Sequence, residues 1–173
     1  MGYAGGTSED PTYRRLGDHS ETVEIDFDPS VITYEELLKV FFAAHDASAR
    51  PHSRQYMSAV FFHDEEQERL ARAVKTREEA RTGRSVLTEI VPLSRFYVAE
   101  GYHQKYILQG EAVLLRDFTR IYPEFTDLVD STAAARVNGY LYGCGTPERL
   151  EAELELLGLS EEGAARLKER VGL

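Results

Sequence analysis

Five residues of this sequence combine a reactive side chain with a setting that suits chemistry: Tyr13, Glu21, Tyr56, His103 and Cys144. Glu21 shares one side of an alternating run with Val23, Ile25 and Phe27. A carboxyl at the end of an apolar face loses hydration. That loss favours its neutral form and suits it to donate a proton near neutral pH. The competing reading is a carboxylate at a strand edge that simply reaches water. Tyr13, in Pro11-Thr12-Tyr13-Arg14, and Tyr56, in Ser53-Arg54-Gln55-Tyr56, each carry a phenolic O–H that can donate to an oxygen. The chain holds ten tyrosines, however, so most of them must only pack. His103 stands in Gly101-Tyr102-His103-Gln104. Cys144 lies between Gly143 and Gly145, which gives it access. No Lys, Arg or His stands within three residues to stabilise a thiolate, so an idle loop thiol is the simpler reading.

Metal chemistry is not expected. His19 and His45 neighbour Glu21 and Asp46, but the spacing matches no helical zinc motif and no cysteine lies near. His45 follows an apolar helical stripe and is expected to close that helix, where a donor suits the last carbonyls.

Composition narrows the classes of partner. The 173 residues carry a net charge of -10, which disfavours nucleic acid and anionic membrane surfaces as partners. Hydrophobic residues make up 42%, enough for a core, and no apolar run approaches the roughly 20 residues that span a bilayer. The N-terminus lacks the basic and apolar regions of a signal peptide, so the cytoplasm is the expected location. A single cysteine excludes an intrachain disulfide.

The elements that must position these residues can be read from periodicity and punctuation. Residues 1–12, rich in Gly, Ser, Thr and Pro, read as an open loop. Residues 21–27 alternate as a strand and stop at Asp28-Pro29. Thr33 and Glu36 form a capping box ahead of Leu37, Leu38, Phe41 and Phe42. A second strand is expected over 56–63. A helix capped by Asp64 and closed by Gly83 follows it. A third strand spans 86–91 and a fourth extended piece surrounds Phe96-Tyr97-Val98. Beyond that the pattern is helical over 111–120, 127–141, 147–157 and 161–171, with Pro147 in a first turn. The order predicts an α+β two-layer sandwich, ferredoxin-like, with a mixed sheet and helices on one face. It occupies residues 1–110, and a helical extension occupies 111–173.

The blocks Gly2-Tyr3-Ala4-Gly5-Gly6, Pro11-Thr12-Tyr13, His19-Ser20-Glu21, Phe27-Asp28-Pro29, His45-Asp46, Arg54-Gln55-Tyr56, Phe61-Phe62-His63, Thr88-Glu89-Ile90 and Tyr102-His103-Gln104 come in one order. In that order they resemble the A-type peptide-methionine (S)-sulfoxide reductases, over residues 1 to about 108. The resemblance implies reduction of methionine sulfoxide, free or in oxidised proteins, with thioredoxin or another dithiol as external reductant and no cofactor. In such enzymes a cysteine thiolate attacks the sulfoxide sulfur, an acid protonates the oxygen, and a second thiol resolves the sulfenic acid as a disulfide. Carried over, Glu21 is the acid, Tyr13 and Tyr56 hold the oxygen, and His103 lines the substrate site. Cys144 corresponds at most to a resolving thiol in a Gly-rich C-terminal segment.

The sequence also departs from that pattern. The family's Gly-Cys-Phe-Trp motif, which supplies the nucleophile, is expected a few dozen residues before Gly2-Tyr3-Ala4, and the chain contains no Trp. The domain is therefore expected to be truncated at its N-terminus and impaired in turnover. The alternative is a non-catalytic pseudoenzyme that binds proteins containing methionine sulfoxide. The Asn-Asp-x-Gly loop expected before Gln55-Tyr56 also has no counterpart here.

Overall fold

The computed structural model describes residues 1–173, which fall into two units, Met1–Glu100 and Gly101–Leu173. The sequence placed this division near residue 110. Residues 101–110 join the helical unit because Asn138 Oδ1 accepts from the backbone N–H groups of both Ile107 and Leu108, each at 3.1 Å. Leu108 itself is fully buried in the helical core.

The first unit is α+β. Strands β1 (Gly2–Ala4), β2 (Ser20–Thr22) and β5 (Phe96–Val98) form an antiparallel sheet in the order β2-β1-β5. Strands β3 (Ala59–Phe62) and β4 (Glu89–Pro92) form a separate parallel pair. Helices α1 (Tyr34–Ala43) and α2 (Glu65–Thr82) complete the unit. The architecture is thus mixed α and β as expected, but the single mixed ferredoxin-like sheet is replaced by two small sheets.

Three corrections to the sequence reading bear on the site. Residues 1–12 are not all loop, since β1 is the central, buried strand of the three-stranded sheet. Glycine lowers strand propensity, yet here it is required. A Cβ on Gly2 would lie 2.2 Å from the Phe96 ring, so only a residue without a side chain fits between its neighbours. Second, the strand expected over 21–27 is restricted to Ser20–Thr22. Its partner β1 is three residues long, so residues beyond Thr22 have no ladder to join. Third, residues 56–58 are not strand. Arg54–Tyr56 is a 3₁₀ turn and β3 starts at Ala59.

Local signals held wherever the deciding contacts are short in sequence. Thr33 and Glu36 make both reciprocal bonds of the capping box. Asp64 accepts from Gln67 N–H, and Gly83 closes α2 at φ 66°. His45 Nδ1 lies 2.8 Å from the Phe41 carbonyl, so this nitrogen must carry the proton. Its Nε2 then accepts from Ser58 Oγ at 2.8 Å, and Ser58 accepts in turn from Thr88 Oγ1 at 2.8 Å. Leu38, Phe42, Val60, Ala71, Val74 and Val86 bury the faces of α1, α2 and β3 against one another.

The second unit is entirely helical. After a 3₁₀ turn at Gly101–His103 come α3 (Tyr106–Gln109), α4 (Ala112–Ile121), α5 (Phe125–Asp130), α6 (Thr132–Leu141), α7 (Pro147–Glu153) and α8 (Glu161–Val171). The helix expected over 127–141 is two helices. Ser131 adopts an extended backbone, and its side chain accepts from Ala134 N–H, starting a new helix instead of continuing the old one. The last four residues expected in the helix over 147–157 tighten into a 3₁₀ turn, Leu154–Leu157. Leu114, Phe118, Leu128, Leu150 and Leu167 are at most 1% exposed and form the core.

Candidate functional site

Glu21 is the middle residue of β2 and pairs with Tyr3 of β1. Its carboxyl does not stand alone. Gln55 Nε2 donates to Glu21 Oε1 at 2.6 Å and to the Tyr56 phenol oxygen at 3.1 Å. The Tyr56 phenol is in turn within hydrogen-bonding reach of the Tyr13 side chain. Glu21, Tyr13 and Tyr56, singled out separately in the sequence, therefore meet at one place, with the Gln55 amide between two of them.

The backbone explains why they meet. The turn Arg54–Tyr56 is fastened through Arg54 to β2 and to the residue that follows β1. Ser20 Oγ donates to the Arg54 carbonyl at 2.7 Å, and the Arg54 guanidinium donates to the Gly5 carbonyl at 3.0 Å. Gln55 and Tyr56 are thereby held over β2. Tyr13 is set from the other direction. Glu100 accepts from the Tyr3 hydroxyl at 2.6 Å and from the Tyr13 backbone N–H at 3.0 Å. One carboxylate thus ties the loop carrying Tyr13 to the central strand.

That loop is closed at its base by Asp18 and His19. Asp18 accepts from the backbone and hydroxyl of both Thr7 and Ser8, at 2.8–3.1 Å. His19 is 1% exposed; its Nε2 donates to the Ser8 carbonyl at 2.7 Å and its Nδ1 accepts from Gly6 N–H at 3.2 Å. Both ring nitrogens are committed to the loop, so His19 does not present a lone pair for a metal. The four donors around Asp18, led by Ser8, hold its carboxyl far below its ordinary value of 3.8. A depressed folded value means that this stabilisation is complete above the ordinary carboxylate value and is lost as pH falls below it. Asp18→Asn is therefore expected to lower the urea midpoint at pH 7 and to flatten its decline between pH 4 and pH 3. An acid decline as steep as that of the native chain would remove Asp18 from the account.

The electrostatics of the phenols can be tested in the same way. The Tyr56 hydroxyl is pushed above its ordinary value of 10.0, first by the neighbouring Glu21 carboxylate, then by desolvation and by Tyr13, against the lowering effect of Gln55. The phenol accordingly stays a donor throughout the neutral range. Because its folded value is raised, its contribution to stability is present at neutral pH and is lost as pH rises through that value. Glu21→Gln is expected to bring the alkaline midpoint of Tyr56 down, seen at 295 nm as the difference between each protein and its Tyr56→Phe counterpart. An unchanged midpoint would show that the two groups do not interact.

His103 and Cys144 belong to the second unit. His103 ends the 3₁₀ turn Gly101–His103 and packs its ring 4.2 Å from the Tyr102 ring, centroid to centroid. Cys144 is exposed, and its backbone N–H donates to the Gly139 carbonyl at 2.9 Å. The sequence reading missed two residues that organise the site, Gln55 and Glu100. Gln55 adjoins Tyr56 and could have been suspected from that adjacency. Glu100 is 97 residues from Tyr3, and no local pattern marks it.

Chemically, the arrangement offers one carboxyl and two phenols on a single small region, with an amide fixing their spacing. Such a set binds an oxygen atom that carries partial negative charge and supplies it with protons. It contains no nucleophile of its own. Compared with known proteins, residues 1–128 match the model of the family described as peptide methionine sulfoxide reductase. A peptide methionine sulfoxide reductase of Drosophila melanogaster is 45% identical over 162 residues, covering 92% of this chain and 65% of that protein. Peptide methionine sulfoxide reductase A5 of Oryza sativa subsp. japonica is 38% identical over 164 residues, covering 90% and 64%. The crystal structure of Mxr1 from Saccharomyces cerevisiae in reduced form superposes with a TM-score of 0.60 at 29% identity, covering 64% of this chain and 69% of that one. The chain thus spans slightly under two thirds of the length of these two relatives.

Proposed function

Because this chain belongs to the peptide methionine sulfoxide reductase family, we propose that its first unit binds the sulfoxide group of oxidised methionine and polarises the sulfur–oxygen bond for reduction by a thiol. The observation that carries this reading is the convergence of Glu21 and Tyr56 through Gln55, with Tyr13 beside the Tyr56 phenol. A sulfoxide oxygen is a strong acceptor with no proton of its own, and these groups are matched donors. Tyr13 and Tyr56 clamp the oxygen, and Glu21 protonates it as it leaves.

The chemistry balances as follows. A thiolate forms a bond to the sulfoxide sulfur, and the oxygen, taking one proton from Glu21 and one from solvent, departs as water. Water then attacks the thiol sulfur of the resulting sulfonium. Methionine is released and a sulfenic acid is left behind. A second thiol condenses with the sulfenic acid, giving a disulfide and water. A dithiol, thioredoxin in the cell, reduces the disulfide. The net change is one sulfoxide and one dithiol to one sulfide, one disulfide and one water. The preferred substrate is the (S) epimer, free or in oxidised proteins. No helix is long and apolar enough to cross a membrane, and a thioredoxin-type reductant fits a reaction in the cytoplasm.

The attacking thiol is not part of the assembled group. The one cysteine, Cys144, belongs to the exposed Gly143-Cys144-Gly145 turn of the second unit, where a resolving role suits it better than attack. This favours a second reading, in which the 173 residues bind methionine sulfoxide without turning it over. Two measurements separate the readings. Calorimetric titration with methionine (S)-sulfoxide is expected to show binding that Glu21→Gln weakens, and absence of binding at millimolar ligand would sink both. Methionine production with dithiothreitol is expected to be low in this chain. Robust turnover abolished by Cys144→Ala would make Cys144 the nucleophile and overturn its assignment as resolver.

A further inference from the structure

Gln55 and Tyr56 reach the site from a short turn, Arg54–Tyr56, to which Ser53 supplies no side-chain cap. The preceding residues 50–53 are exposed. Arg54 fixes the entrance of the turn, through Ser20 and the Gly5 carbonyl. The exit is fixed two residues past Tyr56, at Ser58. The Ser58 carbonyl accepts from Glu89 N–H at 3.0 Å. Its hydroxyl donates to His45 Nε2 at 2.8 Å, in a neutral ring whose Nδ1–H is committed to the Phe41 carbonyl. Ser58 then has no proton left for Thr88, so Thr88 Oγ1 donates to Ser58 at 2.8 Å. Thr88 is fully buried, and Lys75 Nζ donates to its carbonyl at 2.8 Å. Leu87 N–H donates to the Ala47 carbonyl at 2.8 Å, which seats the residues after His45 against the same stretch.

The chain Thr88–Ser58–His45 thus runs in one direction, from a buried hydroxyl to the end of α1. Closing α1 needs only Nδ1 of His45 and the Phe41 carbonyl. It does not need a ring that also spans to Ser58. We infer that His45 is a positioning residue for the oxygen-binding site: through Nε2 it holds Ser58, and thereby sets where Gln55 and Tyr56 stand over Glu21. This rests on the function proposed above and adds a residue to its site. Gln55 Nε2 donates to Glu21 at 2.6 Å and to the Tyr56 oxygen at 3.1 Å. Hydrogen bonds weaken steeply as their angles depart from linear, so Gln55 makes both only while the turn keeps its place over β2. His45 is itself held by packing. Its ring centroid lies 4.7 Å from that of Phe41, and α1 buries Leu38 and Phe42 in the core of the unit. The place of Tyr56 is thereby referred to that core through His45 and Ser58.

Two substitutions separate this role from the closing of α1. His45→Asn puts an amide where Nδ1 stands and keeps the bond to the Phe41 carbonyl. His45→Gln reaches as far as Nε2 and keeps an acceptor for Ser58. The alkaline midpoint of Tyr56, read at 295 nm against the Tyr56→Phe counterpart of each variant, reports how near Tyr56 stands to Glu21, the first cause of its raised value. In the 173-residue chain, His45→Asn is expected to bring that midpoint down toward 10.0. It is also expected to weaken calorimetric binding of methionine (S)-sulfoxide about fivefold, the factor that matches the net contribution of one hydrogen bond. His45→Gln is expected to restore both. Native values in His45→Asn, whatever His45→Gln shows, overturn the inference and leave His45 as the end of α1 only. Where both His45 variants lose, or His45→Asn does not fold, Ser58→Ala removes the same link from its other end. A lowered Tyr56 midpoint in Ser58→Ala, with an unchanged circular dichroism spectrum, upholds the inference, and an unmoved midpoint overturns it. The two readings fail separately. Absence of sulfoxide binding by the parent chain, with the midpoints in the expected order, upholds the positioning of Tyr56 and sinks the sulfoxide chemistry. Sulfoxide binding that needs Glu21, with midpoints indifferent to His45 and Ser58, sinks the positioning alone.

Discussion

Glu21→Gln is expected to lower reduction of methionine (S)-sulfoxide by about 10²–10⁴-fold in assays that supply the attacking thiol, the range typical of a lost general acid. The substitution is chosen because it preserves shape. A glutamine at this position keeps an oxygen for the Gln55 amide, which now donates to Glu21 at 2.6 Å. It loses only the proton and the charge. The loss should therefore fall on turnover far more than on folding, and the urea midpoint should move little. Tyr13→Phe and Tyr56→Phe each remove one of two donors to the same oxygen, and each should cost less than Glu21→Gln. Steady-state rates for the three variants at saturating sulfoxide give the ranking. A Glu21→Gln protein as fast as its parent would take the acid role away from this carboxyl.

Gly5→Ala is expected to destabilise the first unit by about 2–4 kcal/mol, combining a strained backbone with a steric overlap. Gly5 has φ 79°, and a Cβ there would lie 2.7 Å from the Phe61 ring. Gly83 provides the internal comparison, with φ 66° and nothing within 4 Å of its Cβ position. Gly83→Ala carries the backbone term alone and should cost about 1 kcal/mol. The difference between the two midpoints in urea then measures the overlap with Phe61. Gly5 also matters to chemistry, because its carbonyl accepts from Arg54, which precedes Gln55 and Tyr56. Residual folded Gly5→Ala protein is accordingly expected to bind sulfoxide less well. Equal midpoints for the two alanine variants would show that Phe61 yields at no cost.

How much could be read before the structure depended on the reach of the deciding interaction. Thr33 with Glu36 and Asp64 with Gln67 sit three residues apart, and Gly83 adjoins the helix that it ends. Their geometry is a property of the local backbone, so type and spacing in the sequence were sufficient. The same holds for the choice of Glu21, Tyr13 and Tyr56 as candidates. Polarity, an alternating apolar run and a strong family resemblance pointed to them without any coordinates.

Strand boundaries behaved differently. Residues alternate in type over 21–27, but Thr22 and Glu24 line the same cleft as Val23, Ile25 and Phe27, so the alternation does not divide two faces. A strand also needs a partner, however, and the ladder ends where three-residue β1 ends. Glycine misled in the opposite direction. Gly2 lowers local strand propensity, but the tight approach of Phe96 leaves no room for any other residue at the centre of the sheet. Ser131 looked like an interior helical residue, and its side chain instead starts a new helix.

Sequence by itself therefore determined the chemical inventory: a carboxyl, two phenols, a lone thiol, an acidic chain and the caps of its helices. Only the tertiary structure decided that the carboxyl and the phenols meet, because the groups that bring them together are far apart along the chain. Gln55 reaches Glu21 across 34 positions and Glu100 reaches Tyr13 across 87. Hydrogen bonds of that span depend on how sheets and turns pack, and no local pattern of residues encodes them.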